Sequence, residues 1–182
     1  MNKKSTVGAL LYYITTIIMN TKKAYIAWGC FWGMEELFRK QPWVVDTQVG
    51  YMGWHVSEPT YQNHGWHAEA IEVSYDSDIT SYQNILDYFF TIHDPTTKDR
   101  QGNDRGDSYR SAIFYQNSDE KLQAEGMIEI VNRSGRWTNP VVTTLEEFDW
   151  FHEAEWYHQD YLQENPNGYT CHYVRFPSYL KK

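Results

Sequence analysis

Ala24-Tyr25-Ile26-Ala27-Trp28-Gly29-Cys30-Phe31-Trp32-Gly33-Met34-Glu35-Glu36-Leu37-Phe38 is the stretch on which the fold turns. Residues 24–27 are an apolar run and predict a strand; residues 34–40 predict the first turns of a helix. Cys30 lies between them, close to a helix N-terminus. There the unpaired backbone N–H groups and the positive end of the helix dipole favour a thiolate. The thiolate is the nucleophilic form, so the position predicts a reactive cysteine. Gly29 and Gly33 are expected to leave the backbone around Cys30 open to a substrate. Phe31 and Trp32 would supply an apolar wall. The competing reading of Cys30 is a buried small hydrophobe.

Upstream, Lys3 and Lys4 precede an apolar run over residues 7–19. A bilayer crossing needs about 20 apolar residues, and this run is shorter. Residues 1–20 therefore read as an N-terminal extension: a signal or anchor segment, or an upstream stretch before a true start at Met19. Cytoplasmic localisation is expected, with export or anchoring as the alternative. Residues 21–182 read as one domain.

Downstream, Pro42 ends the first helical pattern. Residues 44–49 predict a short strand, and 50–54, punctuated by glycine, a loop or bulge. Residues 68–75 alternate: Ile71, Val73 and Tyr75 face one way, Glu72 and Ser74 the other. Glu69 falls on the apolar side. Residues 81–92 carry Tyr82, Ile85, Leu86, Phe89 and Phe90 at helical spacing. Residues 96–108 form a long polar loop of the kind that often carries function. A strand over 109–115 follows, then a helix capped by Ser118 and running to about Val131, and a β-branched strand over 141–145. Residues 153–163 predict a helix bearing Trp156, Tyr157, Tyr161 and Leu162. The tail from Tyr169 has no periodicity. This mixture of elements, without strict strand–helix alternation, predicts an α+β domain with a mixed or antiparallel sheet.

The composition narrows the function. With 16 basic and 24 acidic residues, the formal charge is -8, and a basic footprint for nucleic acid is missing. Fifteen Tyr, eight Trp and eight Phe exceed what a core of this size requires and suggest a groove lined by rings. The two cysteines, Cys30 and Cys171, form neither a disulfide scaffold nor a C-x-x-C motif.

Besides Cys30, three groups of residues invite chemistry. Glu69 reads either as a solvated strand carboxylate or as a desolvated acid with a raised pKa, suited to donate a proton. Cys171 reads as an incidental surface thiol or as a mobile second thiol on a tail that reaches Cys30. His64, His67, His152 and His158 raise a zinc site or a cysteine–histidine hydrolase. His64 and His67 lie on no predicted helix, so their spacing lacks the geometry of a ligand pair. A binding module, with an aromatic groove holding a peptide or a carbohydrate and no catalysis, is the alternative outside enzymology.

Several motifs resemble one family in order along the chain. Gly29-Cys30-Phe31-Trp32-Gly33 is similar to the signature of the A-type peptide methionine sulfoxide reductases. The likeness continues through Gly50-Tyr51, Pro59-Thr60-Tyr61, His67-Ala68-Glu69, His93-Asp94-Pro95 and Arg100-Gln101-Gly102-Asn103-Asp104. It ends with Ser108-Tyr109-Arg110-Ser111-Ala112-Ile113 and Tyr157-His158-Gln159-Asp160-Tyr161-Leu162. The sequence departs from the pattern at Gly53-Trp54, where many members have two glycines, and at Trp66.

The resemblance implies a two-layer α+β sandwich with flanking helices and a long irregular C-terminal tail. It implies that Cys30 attacks the sulfoxide sulfur and that Glu69 protonates the sulfoxide oxygen. Tyr61 and Tyr109 would hold that oxygen, Asp104 would support the site, and Phe31 and Trp32 would cup the ε-methyl group. Methionine then leaves and Cys30 remains as a sulfenic acid. Cys171, the single resolving cysteine, would form a disulfide with it, and thioredoxin or another dithiol would reduce that disulfide. The implied substrates are the S epimer of free and protein-bound methionine sulfoxide, in protein repair under oxidative stress. No cofactor or metal and no nucleic acid are implied, and a monomer is expected.

Overall fold

The computed structural model describes residues 20–53 and 58–181. Nearly all of the N-terminal extension and Trp54 lie outside the described residues. Eight strands, four α-helices and two 3-10 turns are present among them. The strands are β1 (Thr21–Ala27), β2 (Val44–Met52), β3 (Ala68–Asp76), β4 (Arg100–Gln101), β5 (Asp104–Arg105), β6 (Ala112–Tyr115), β7 (Thr144–Glu147) and β8 (His152–Glu153). The helices are α1 (Phe31–Phe38), α2 (Tyr82–Ile92), α3 (Ser118–Arg133) and α4 (Tyr161–Glu164). Six strands form one open sheet in the order β7-β6-β1-β3-β2-β8, and β4 pairs with β5 as a separate hairpin. Every pairing in the large sheet is antiparallel except β6 with β7. The sheet is therefore mixed, and the domain is α+β as expected.

The period of two along the strands decides what covers each face. Ala24 and Ile26 of β1 and Ile71 and Val73 of β3 pack with Phe31, Met34 and Phe38 of α1. Ile85, Leu86 and Phe89 of α2 and Met127 and Val131 of α3 complete this main core. The helices thus lie on one face, giving two layers. Tyr25, Ala27, Ala70 and Phe114 point the other way and are covered by Phe148 and Phe151. All nine residues of β3 are consequently buried. Alternation along β3 does not mean a wet face: Glu72 is buried, accepts from the Tyr25 hydroxyl at 2.9 Å and pairs with Lys23 at 2.7 Å.

Several predicted boundaries shift, each for a local reason. Strand β2 runs on through Gly50 instead of breaking there. Gly50 pairs with both Ala70 and Glu153, and a Cβ on it would lie 2.3 Å from the His152 carbonyl oxygen. Helix α3 is capped by Asn117, whose Oδ1 accepts from the Glu120 N–H at 3.0 Å, rather than by Ser118. The polar loop over 96–108 contains the β4–β5 hairpin, and Tyr109 belongs to a 3-10 turn (Asp107–Tyr109) instead of a strand. The β-branched run contributes to β7 only from Thr144, because Val141 and Val142 bond to the Asn132 side chain and the Pro95 carbonyl.

The largest departure is the helix predicted over 153–163. It is broken into β8, a 3-10 turn (Trp156–His158) and the single turn α4. Polar side chains of this segment bond to other strands and loops rather than lying along a helix. Glu155 accepts from the Tyr51 hydroxyl at 2.9 Å and the Tyr61 N–H at 3.0 Å. The Gln159 amide bonds the Val49 N–H and carbonyl at 2.9 and 3.0 Å. Asp160 takes a left-handed conformation, and its N–H donates to the buried Glu35 at 2.8 Å.

The C-terminal tail is irregular, as expected, but it is fastened to the domain. His172 Nε2–H donates to the Trp28 carbonyl at 2.8 Å, and the Arg175 N–H to the Thr91 carbonyl at 2.8 Å. Tyr179 donates its N–H to Asp87 at 2.7 Å and lies under the Arg136 guanidinium. Cys171 is therefore held between anchored residues.

Candidate active site

Helix α1 begins at Phe31, one turn earlier than its apolar pattern suggests, so Cys30 is the N-cap residue itself. Gly29, at φ +73, makes the turn out of β1. A side chain there would be strained, and its Cβ would lie 2.6 Å from Gln101 Cβ. A Cβ on Gly33 would lie 2.4 Å from His172 Nδ1 and 2.5 Å from Thr170 Oγ1. This corrects the expectation that both glycines open the backbone to a substrate. Their missing side chains are filled instead by the β4–β5 hairpin and the tail that carries Cys171.

Glu69 lies on β3, opposite Tyr51 of β2 and on the helix-facing side of the sheet. It is 1% exposed, and its Oε2 accepts from the Phe31 N–H at 3.0 Å. The first free N–H of α1 is thus satisfied by a carboxyl from the sheet floor, directly after Cys30. Burial pushes the Glu69 carboxyl up to about 8, against the Phe31 N–H, which lowers it; the Asp104 charge adds to the rise. At neutral pH Glu69 holds a proton it can donate.

The Cys30 thiol is 8% exposed. Burial raises its pKa well above the ordinary thiol range, and the charge of Glu69 raises it further. The Trp32 N–H at the helix start lowers it, as the sequence predicts, but less than burial raises it. In the resting site Cys30 is a thiol, not the thiolate expected from the helix end alone. Cys30 and Glu69 are thus both held protonated at neutral pH.

Rings surround this pair. Phe31 is fully buried and stacks with Tyr61 at 6.4 Å between centroids. Trp32 stacks on Tyr161 at 3.8 Å and donates its Nε1–H to His158 Nδ1 at 3.1 Å. The His158 ring also lies 4.5 Å from Tyr61 and 5.1 Å from Phe31. The Tyr61 and Tyr109 hydroxyls are both raised by burial first and by the Glu69 charge next. Both phenols therefore stay protonated and able to donate a hydrogen bond.

The second thiol meets the site through the hairpin. Cys171 Sγ–H donates to Asp104 Oδ2 at 3.1 Å, and the Tyr169 hydroxyl donates to Asp104 Oδ1 at 3.1 Å. Cys30 and Cys171 are both free thiols, and each feels the charge of Asp104. Of the residues named from the sequence, the Phe31 N–H bonds Glu69, Cys171 bonds Asp104, the Phe31 ring meets Trp32 and Tyr61, and the Gly29 N–H before Cys30 donates to the Tyr109 carbonyl at 3.2 Å.

Other contributors were not legible there. Glu155 positions Tyr61 and Tyr51, His158 joins three of the rings, and Tyr169 holds Asp104. Of these only His158 drew attention, as a metal ligand or hydrolase histidine and as part of the Tyr157–Leu162 motif. Its Nδ1 is instead taken by Trp32, while His67 Nδ1–H donates to the His64 carbonyl at 2.8 Å. Among the described residues no cluster of three metal-ligating side chains occurs.

A buried thiol at a helix start, a protonated carboxyl on the first N–H of that helix and a second thiol on the tail packed against it have relatives. The model of the peptide methionine sulfoxide reductase family matches residues 22–182. The chain belongs to this family. A peptide methionine sulfoxide reductase from Mycolicibacterium paratuberculosis is 61% identical over 156 residues, covering 86% of this chain and 91% of that protein. The crystal structure of reduced Mxr1 from Saccharomyces cerevisiae is similar at a TM-score of 0.80 and 35% identity, over 86% of this chain and 93% of that one. Mxr1 in complex with Trx2 is similar at a TM-score of 0.60 and 28% identity, covering 86% and 91%. This methionine sulfoxide reductase shares with them the α+β fold that carries the thiol, and its activity is the reduction of methionine sulfoxide to methionine. The non-catalytic groove considered from the aromatic composition is not favoured by these likenesses.

Proposed function

We propose that Cys30 is the nucleophile of this reductase, Glu69 its acid and Cys171 its resolving thiol. The observation that supports the reading is the Phe31 N–H to Glu69 bond, which holds a protonated carboxyl at the start of the helix that Cys30 caps. A sulfoxide placed there offers its oxygen to Glu69 and to the Tyr61 and Tyr109 hydroxyls. Phe31 and Trp32 face its methyl group. Hydrogen bonding to the oxygen makes the sulfur electrophilic, and Cys30 attacks it. The Cys30 proton replaces the one Glu69 delivers to oxygen. Methionine leaves and Cys30 holds the oxygen as a sulfenic acid.

Cys171 then closes a disulfide with Cys30 and expels water. A thioredoxin-type dithiol regenerates both thiols by exchange; the Mxr1–Trx2 complex supports this choice. The electrons come from thiols throughout, so the cycle calls for no prosthetic group. We assign the S epimer, free or within a protein, as the substrate, and a monomer in the reducing cytoplasm as the working form.

Cys171→Ser is expected to release one equivalent of methionine per enzyme from methionine-S-sulfoxide and then to stop with thioredoxin as reductant. Steady-state turnover with thioredoxin should fall at least about a hundredfold, because no disulfide exists for exchange. Normal recycling of this variant by thioredoxin would remove Cys171 from the resolving role. Chromatography of released methionine, with and without thioredoxin, reads both phases.

A further inference from the structure

We propose that Asp104 is the general base of the resolving step, taking the proton from Cys171 as that sulfur attacks the Cys30 sulfenic acid. This rests on the roles given above to Cys30 and Cys171. The contact is direct: Cys171 Sγ lies 3.1 Å from Asp104 Oδ2, within hydrogen-bond reach of a thiol donor. The other carboxylate oxygen is held by the Tyr169 hydroxyl at 3.1 Å, so the carboxylate is oriented from the same tail that carries the thiol. Asp104 sits at the start of β5, just past the β4–β5 turn, and Gly102 of that turn packs beneath Cys171. A Cβ on Gly102 would lie 3.1 Å from Cys171 Cβ. The thiol is therefore seated on the element that bears its base.

A base is needed here. Burial, followed by the Asp104 contact, pushes the Cys171 thiol up to about 12. At neutral pH the thiol therefore keeps its proton, and a free thiolate is scarce. Removing the proton as the S–S bond forms avoids that scarce species.

The other groups facing Cys171 suit the task less well. His172 Nδ1 is 3.6 Å from the sulfur, its Nε2–H is committed to the Trp28 carbonyl, and burial lowers its pKa to about 4. Tyr169 is a donor with a raised pKa. Cys30 is by then the sulfenic acid under attack, and Glu69 holds the proton that the leaving oxygen takes.

The step balances. The Cys171 S–H bond breaks, its proton goes to Asp104, and the sulfur's electron pair forms the bond to Cys30 sulfur. The Cys30 S–O bond breaks, and its electron pair leaves on oxygen, which takes the Glu69 proton and departs as water. Cys171 is oxidised, and Cys30 is reduced from sulfenic acid to disulfide. Solvent then returns the proton from Asp104 to Glu69.

The test is a single turnover of the full chain carrying Asp104→Asn, with methionine-S-sulfoxide, no reductant, and the sulfenic-acid trap dimedone present from the start. Mass spectrometry reads the ratio of Cys30–dimedone adduct to Cys30–Cys171 disulfide. That ratio reports the partition after methionine leaves, however fast the sulfenic acid was made. The wild-type chain should give mainly disulfide. Asp104→Asn should close it 10²–10⁴-fold more slowly and give mainly adduct. Raising the pH from 7 to 9 should restore closure in Asp104→Asn by about tenfold per unit, as hydroxide supplies the thiolate. Cys171→Ser should give adduct at every pH. A wild-type partition in Asp104→Asn overturns the proposal. So does a slowed closure with no rise at high pH, which would make Asp104 a structural support for Cys171. Failure of the underlying reading looks different: the wild-type chain itself would yield methionine with neither adduct nor disulfide at Cys30.

Discussion

Cys30→Ser is expected to lower methionine sulfoxide turnover by at least about a thousandfold while leaving the fold intact. The hydroxyl matches the thiol in shape, and serine is a preferred helix N-cap, whereas Cys30 makes no side-chain capping bond to α1. Thermal stability should therefore hold or rise slightly. The loss must then be chemical: a serine oxygen cannot take up the sulfoxide oxygen and pass it to a second thiol as a sulfenic acid does. Measuring turnover and Tm on the same preparation separates the two. Retained turnover, or a collapsed Tm, would contradict the assignment of Cys30.

Glu69→Gln is expected to slow the chemical step by about 10²–10⁴-fold, the usual contribution of a general acid. It carries a second signature in stability. In the folded chain Glu69 titrates near 8, while the unfolded carboxyl titrates near its ordinary 4.5. The folded form thus favours the protonated carboxyl. Its contribution is fully present below pH 4.5 and is lost as pH rises through 8, by about 1.4 kcal/mol per unit between the two values. Glutamine has no such loss and can still accept the Phe31 N–H. The variant should therefore match the wild type in stability near pH 4 and exceed it by up to a few kcal/mol at pH 8 and above. The same titration should make wild-type kcat/KM fall above about pH 8. Denaturation curves at pH 4, 6 and 8, beside the pH–rate profile, check both. Equal stability of the two proteins at every pH would mean that Glu69 is not held protonated.

A carboxyl kept at the cost of stability is what a site needs when the acid must be neutral at working pH. Cys30 follows the same logic. Burial raises both groups, and in the proposed mechanism the rings around them also face the substrate methyl group while the sulfoxide oxygen takes up the proton of Glu69.

Much of this arrangement was legible in the sequence because it depends on local chemistry. A strand, a glycine turn, a thiol and an amphipathic run place Cys30 at a helix start. The period of two along β3 puts Glu69 on the side of Ile71 and Val73, against α1. The resemblance added the partners that no spacing could bring together. What was not legible depends on contacts between distant segments. Nothing within residues 153–163 tells that Glu155 and Gln159 will bond to β2 and the Tyr61 loop, so the segment reads as one helix and is not. Gly33 reads as an opening for substrate because the tail that fills it, at Thr170 and His172, lies far along the chain. Burial at Cys30 likewise outweighs the helix end, and burial is set by the whole domain. Several matching motifs turn out to be scaffold. His93 donates Nδ1–H to the Phe89 carbonyl at 2.7 Å and accepts from Ser111 at 2.9 Å, far from the chemistry in role although prominent in the pattern.

The account is tested most directly by one equivalent of each sulfoxide epimer, given separately to the reduced chain without reductant, followed by peptide mapping and methionine analysis. The account predicts one methionine released from the S epimer, loss of both thiols, and a single disulfide joining Cys30 to Cys171, with the R epimer untouched. Methionine release with Cys171 still free, or equal reaction of both epimers, would contradict it.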